Sequence, residues 1–169
     1  MDNAGIIADN FRKLFDQLQN EHIKETVDEI GIDAFINRCS LYAGTSGAAA
    51  GFGGFATMVV GVPLDVINNV FQQFRVTLAV IYHKKGIYKP SFTEFMKIVG
   101  LSVGVEMGAT VGKSVMIAIA RQIIVRMTAS SAGKAIPFFG AFIGGSVNYG
   151  FIKLIGAAVK QLNMDSYSF

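Results

Sequence analysis

The sequence predicts an all-α fold, a compact bundle of about five to seven helices. Three observations point there. No window shows sustained period-two alternation, so strands leave no signature. Apolar residues recur three and four apart along the charged segments, as on one face of a helix. Gly100, Gly104, Gly108 and Gly112 stand at strict four-residue steps, which on one helix would form a groove free of side chains for a close neighbour. Each glycine costs a helix about 1 kcal/mol relative to alanine, so tight packing must offset such a ladder. Membrane helices and water-soluble bundles both use this spacing, and both settings stay open for this chain.

The elements follow in order. Ile7, Phe11, Leu14, Phe15 and Leu18, then Ile23, Val27, Ile30 and Phe35, predict an acidic amphipathic arm of one or two helices over residues 1–39, ahead of a Gly-rich helical domain over 40–169. Arg38 and Asp65 are separated by 26 residues without a charge. That length suffices for a bilayer core of roughly 30 Å, but its glycines and Pro63 favour a buried or shallowly inserted helix followed by a turn. Asp65, two residues after Pro63, is the expected N-cap of a helix carrying Val66, Ile67, Val70, Phe71, Phe74, Leu78 and Ile81. His83, Lys84 and Lys85 suit its C-terminal end, and Gly86 suits the position just beyond. Ser91 and Glu94 form a capping-box pattern that opens the helix bearing the glycine ladder, with helical character continuing from Val115 to Met127. Residues 128–134 read as a connector. A second uncharged stretch, Ala135 to Ile152, carries Gly140 and Gly144 as packing positions, Pro137 in the first turn and Asn148 as an interhelical hydrogen-bonding residue. The tail after Met164 is expected to be loose.

Composition narrows the class. Hydrophobic residues make up 51% and charged residues 16%, with a mean hydropathy of +0.45. An ordinary soluble domain is about 25% charged, so the apolar excess calls for membrane, lipid or self-association. Residues 1–39 carry 8 acids and 4 bases, and residues 95–169 carry 2 and 7. An acidic arm beside a basic body predicts docking of one on the other, unless each helix simply solvates its charged face; the basic body favours an anionic lipid surface. A lone Cys39 and an N-terminus without a secretory pattern place the expected site of action in the cytoplasm, at the membrane.

Motifs resembling catalytic sites fail on context. The run from Gly108 to Ser114 lacks the first P-loop glycine, since Met107 occupies that position. Gly100-Leu-Ser-Val-Gly104 has the letters of a nucleophile elbow, but both histidines, His22 and His83, precede Ser102. Ser102 therefore reads as a small packing residue. His22, His83 and Cys39 are too sparse for a metal set, so no metal and no cofactor are expected. Glu106, alone among Val103, Val105 and Met107, reads as an interhelical ion-pair partner of Arg121 or Arg75, or as a functional acid in the membrane.

The order Gly51-Phe-Gly-Gly-Phe55, Val62-Pro-Leu-Asp65, Arg75 and Ile81-Tyr82, followed by the block Ala135 to Asn148, resembles the EcsC-like protein family over residues 41–161. Pro63, Asp65, Arg75, Tyr82, Pro137 and Asn148 match its motif positions, while Tyr82-His-Lys-Lys-Gly86 departs from the family's tyrosine-glycine junction. The resemblance implies a helical, membrane-associated protein and supplies no catalytic residues. The resulting expectation is a non-enzymatic lipid-interacting protein, with Lys113, Arg121, Arg126, Lys153 and Lys160 available to headgroups. Alternatives are a soluble carrier of an acyl chain or other apolar ligand, and a self-assembling pore-type protein. A homo-oligomer through the Gly-rich helices is compatible with the reading, and nucleic acid is not an expected partner.

Overall fold

A computed structural model describes residues 3–18, 21–45, 64–108, 110–132 and 140–167, with no strand among them. Seven α-helices lie among the described residues: α1 (Asn3–Gln17), α2 (Ile23–Ile30), α3 (Ile32–Gly44), α4 (Leu64–Lys85), α5 (Phe92–Ser102), α6 (Lys113–Ala132) and α7 (Gly140–Gln161). A 3-10 turn at Met164–Ser166 follows.

The fold is arranged around α4. From Ile67 to Ile81 every residue of this helix is buried except Arg75, which is partly so. A helix enclosed on all sides cannot be amphipathic in the usual sense, which explains why its sequence shows only Arg75 as a charge between Asp65 and Lys84. Helices α1, α2, α3, α5 and α7 pack against α4, while α6 packs on α1 and α7. Phe11 of α1, Phe74 of α4 and Phe95 of α5 form a ring cluster with centroid separations of 5.5 and 5.0 Å, and Phe15 joins it 4.8 Å from Phe95. Such tilted and edge-on pairs each contribute about 0.5–1.5 kcal/mol beyond area burial.

Two predicted ends are seen. Gly86, with φ of +69°, follows α4 and its N–H donates to the Tyr82 carbonyl at 2.7 Å. Ser91 caps α5, its hydroxyl accepting from the Glu94 N–H at 3.2 Å.

Several expectations are corrected. The arm forms three helices rather than one or two, and α3 runs through the boundary drawn after residue 39. The glycine ladder does not lie on one helix. Gly104 adopts φ of +78° and ends α5: its N–H donates to the Leu101 carbonyl at 3.0 Å, and the Val105 N–H donates to the Gly100 carbonyl at 2.9 Å. This is a Schellman stop, and glycine's access to the left-handed region is the reason it forms here. Gly108 and Gly112 then lie exposed outside the helices, with open space where a Cβ would stand. Close approach occurs instead at Gly100, against Met107 and Ile119, and at Gly156 of α7, against Ile36 of α3.

Asp65 falls inside the first turn of α4 rather than at its N-cap, because the helix already begins at Leu64. Residues 128–132 continue α6 instead of forming a connector. The C-terminal segment is pinned: Met164 is buried, Lys85 pairs with Asp165 at 2.7 Å, and Lys84 Nζ donates to the Lys160 and Leu162 carbonyls at 2.9 and 2.8 Å. Pro63 and Pro137 lie outside the described residues. Gly140 and Gly144 fall within α7, whose packing around them also lies outside the described part.

Candidate functional site

Two features stand out from the packing, one inside and one outside. Inside, α4 carries Asn68, Asn69, Gln72, Gln73 and Thr77, all buried. With the partly buried Arg75 their spacing makes two adjacent stripes, 68-72-75 and 69-73-77, each repeating at three or four residues. The first stripe is a chain of hydrogen bonds. Asn68 Nδ2 donates to the Tyr42 carbonyl at 2.9 Å, Gln72 Nε2 donates to Asn68 Oδ1 at 3.1 Å, and Arg75 donates to Gln72 Oε1 at 3.1 Å. Arg75 ends the chain against Glu21 at 3.4 Å, with its guanidinium over the rings of Phe35 and Tyr42. It thus ties α4 to the loop before α2 and to α3, where a partly buried guanidinium finds both a counter-charge and aromatic faces. On the second stripe, Gln73 Nε2 donates to Ser102 Oγ at 3.2 Å, and Ser102 Oγ donates to the Val99 carbonyl at 2.7 Å.

Outside, the predicted basic residues are placed on α6 and α7. Lys113 pairs with Asp9 of α1 at 3.0 Å, Lys160 pairs with Asp33 of α3 at 2.6 Å, and Lys153 donates to Asn37 Oδ1. Lys160 holds the Asp33 carboxyl below the usual carboxylate range. Arg121 and Arg126 are exposed on α6, Arg126 lying so close to Gly104 that a Cβ there would meet its Nη2 at 2.8 Å. Val125 between them is 55% exposed, and Leu154 beside Lys153 is 66% exposed. Large apolar groups at that exposure, each next to a cation, form an interfacial rather than a core pattern.

The remaining candidates are dispersed. Tyr82 sits over Tyr88 and places its hydroxyl 2.8 and 3.0 Å from the two Asp28 oxygens, donating to that carboxylate. Lys24 and this hydroxyl together lower the Asp28 pKa. Asn148 is partly buried on α7. Glu106 is exposed outside the helices, so it is no buried acid, and the Glu21 contact of Arg75 replaces the pairing expected with it. Cys39 is fully buried, and desolvation pushes its thiol up to about 12.

The α4 stripes were missed from sequence although a signal existed: polar residues at 68, 69, 72, 73 and 77 in a helix with one interior charge cannot all face solvent. Among the described residues no helix is long and apolar enough to cross a membrane, and no cluster of three or more His, Cys, Asp or Glu is placed to hold a metal. Comparison with protein-family models, curated proteins and solved structures finds no match.

Proposed function

We propose that this protein is a non-enzymatic helical module that attaches peripherally to anionic membranes through the outward side of α6 and α7. The observation that carries the reading is charge placement. From Met107 to Met164 the sequence contains no acid; Arg121 and Arg126 are exposed on α6 with Val125 between them, and Lys153 is exposed on α7 beside Leu154. A basic residue near an anionic surface is worth about 1 kcal/mol, and an apolar side chain inserted at headgroup depth adds to it. Attachment of this kind needs no spanning helix. The resemblance to the EcsC-like family, which implies membrane association, supports the same reading.

A carrier of acyl chains has less support, because the central helix turns asparagine, glutamine and threonine toward the interior and an apolar ligand there would leave them without partners. The test is flotation of the full chain on phosphatidylcholine vesicles with and without phosphatidylserine, at low and high salt. Wild-type protein is expected to float with the anionic vesicles at low salt only. Arg121→Glu/Arg126→Glu should weaken binding by at least about thirtyfold, from two cations at about 1 kcal/mol each. Equal flotation on neutral vesicles, or no effect of the double variant, would refute the assignment.

A further inference from the structure

Three buried side-chain oxygens on the second stripe of α4, Asn69 Oδ1, Gln73 Oε1 and Thr77 Oγ1, have no hydrogen-bond partner among the described residues, though Asn69 makes a further contact of its own. Gln73 and Thr77 are fully buried. The orientation of the Gln73 amide is not interchangeable here. Ser102 already gives its hydroxyl hydrogen to the Val99 carbonyl, so toward Gln73 it acts as an acceptor, and only the Gln73 nitrogen can face it. The amide oxygen is thereby turned away from Ser102. Thr77 lies four residues on, one helical turn along the same stripe, so the two side chains start from Cβ atoms about 5–6 Å apart.

Buried polar groups without partners are rare in folded proteins, and those that lack a protein partner are commonly met by an internal water. We propose that Gln73 and Thr77 bind one ordered internal water, which donates to Gln73 Oε1 and exchanges a hydrogen bond with the Thr77 hydroxyl. The chemistry suits the two groups: the amide oxygen accepts only, whereas the hydroxyl can donate or accept, so the water's hydrogens have a defined direction. Both side chains are closed to bulk solvent, the setting in which buried waters are retained. The site joins Gln73, Thr77 and, through the Gln73 nitrogen, Ser102 of α5 into one network, making the α4–α5 contact dependent on a polar ligand rather than on apolar packing alone.

The test compares Thr77→Val, Thr77→Ser and wild type, each as the full chain. An orphaned hydroxyl would be improved by its near-isosteric apolar replacement, whereas a water-bridged one would be harmed by it, so the two cases predict opposite signs. The bridge predicts that Thr77→Val lowers the folded-to-unfolded ratio about five- to thirtyfold. Thr77→Ser, which keeps the hydroxyl, should fall less. Nuclear Overhauser transfer from a long-lived water to protons of residues 73 and 77 is expected in wild type and in Thr77→Ser, and absent in Thr77→Val. A Thr77→Val protein as stable as wild type or more so, or wild type without a long-lived water at these residues, overturns the proposal.

Discussion

Gly156 and Gly150 lie on the same helix, six residues apart, and alanine at each should have opposite consequences. A Cβ at Gly156 would stand 2.8 Å from Ile36 Cγ2 and 3.1 Å from its Cδ1, whereas one at Gly150 meets nothing within 4 Å. Carbon atoms prefer about 3.5–4.0 Å, so α3 or the Ile36 rotamer has to move in the first case only. Both substitutions gain up to about 1 kcal/mol of helix propensity. The gain cancels in the comparison, leaving the overpacking cost of about 1–3 kcal/mol as the difference between the two variants. Gly150→Ala should match or exceed wild type, and Gly156→Ala should fall below Gly150→Ala by that amount in urea denaturation followed by far-ultraviolet circular dichroism. Ile36→Ala supplies the control. Alone it removes a buried side chain at a cost of about 2–5 kcal/mol; in the Gly156→Ala background it also relieves the clash, so the two losses should be less than additive by more than about 0.5 kcal/mol. Equal stabilities for Gly150→Ala and Gly156→Ala, or strict additivity with Ile36→Ala, would show that α3 and α7 do not meet closely at Gly156.

Gly104→Ala should lower stability by about 1–2 kcal/mol because its left-handed backbone disfavours a Cβ, and Gly104→Asn should lower it less; calorimetry ranks them. Gly108→Ala, in open space, should stay within about 0.5 kcal/mol of wild type by the same measurement. The Cys39 thiol, buried and raised to about 12, should resist a thiol-specific reagent at pH 8 in the native protein and react at once in denaturant. Lys24 and Tyr82 lower the Asp28 pKa, and Lys160 lowers that of Asp33. Carboxyls depressed in the folded state contribute stability that is complete above their unfolded value and lost as pH falls through the folded one, so the melting temperature should decline below about pH 4. Asp33→Asn should make that decline shallower.

Local signals were legible where a residue type has one physical use. Ser91 before an apolar run, and Gly86 after three basic residues, mark helix ends because few other residues satisfy those backbone groups. The periodicity of Phe11, Leu14, Phe15 and Phe35 likewise identifies residues that are now core. The glycine ladder misled because one spacing serves two opposite ends. Four-residue steps suit a helix groove, yet any one of those glycines can also enter the left-handed region and stop the helix, and at Gly104 the Schellman bonds win. Gly156, the glycine in close contact with α3, sits outside any such repeat. Partners of Arg75 were illegible for a different reason: Glu21 lies 54 positions away in sequence, and only the packing of α2 and α3 on α4 brings the two together.

The structure also changes how the acidic arm relates to the basic body. Lys113 and Lys160 are held by Asp9 and Asp33, so the arm occupies cations that an anionic surface would use. Were those contacts the whole attachment, deleting residues 1–39 would expose the cations and strengthen lipid binding. They are not. Phe11, Leu14, Leu18, Ile23, Phe35 and Ile36 of the same segment are buried in the common core. Each such side chain contributes about 1.5–3 kcal/mol on full burial, so the set is comparable with the 5–15 kcal/mol of net stability a domain has. Exposed ion pairs contribute about 0–1 kcal/mol each by comparison. The arm is therefore a structural part of the bundle, and its deletion should give an unfolded or aggregating chain, seen by circular dichroism and light scattering. Competition between arm and lipid can be tested only with the core kept whole: Asp9→Asn/Asp33→Asn should leave the fold in place, release Lys113 and Lys160, and raise affinity for anionic vesicles about thirtyfold if each freed cation gains about 1 kcal/mol at the surface. Unchanged affinity in that double variant, with the fold intact, would show that these two lysines lie off the lipid-facing side and would confine the membrane contact to Arg121, Val125 and Arg126 of α6 and Lys153 and Leu154 of α7.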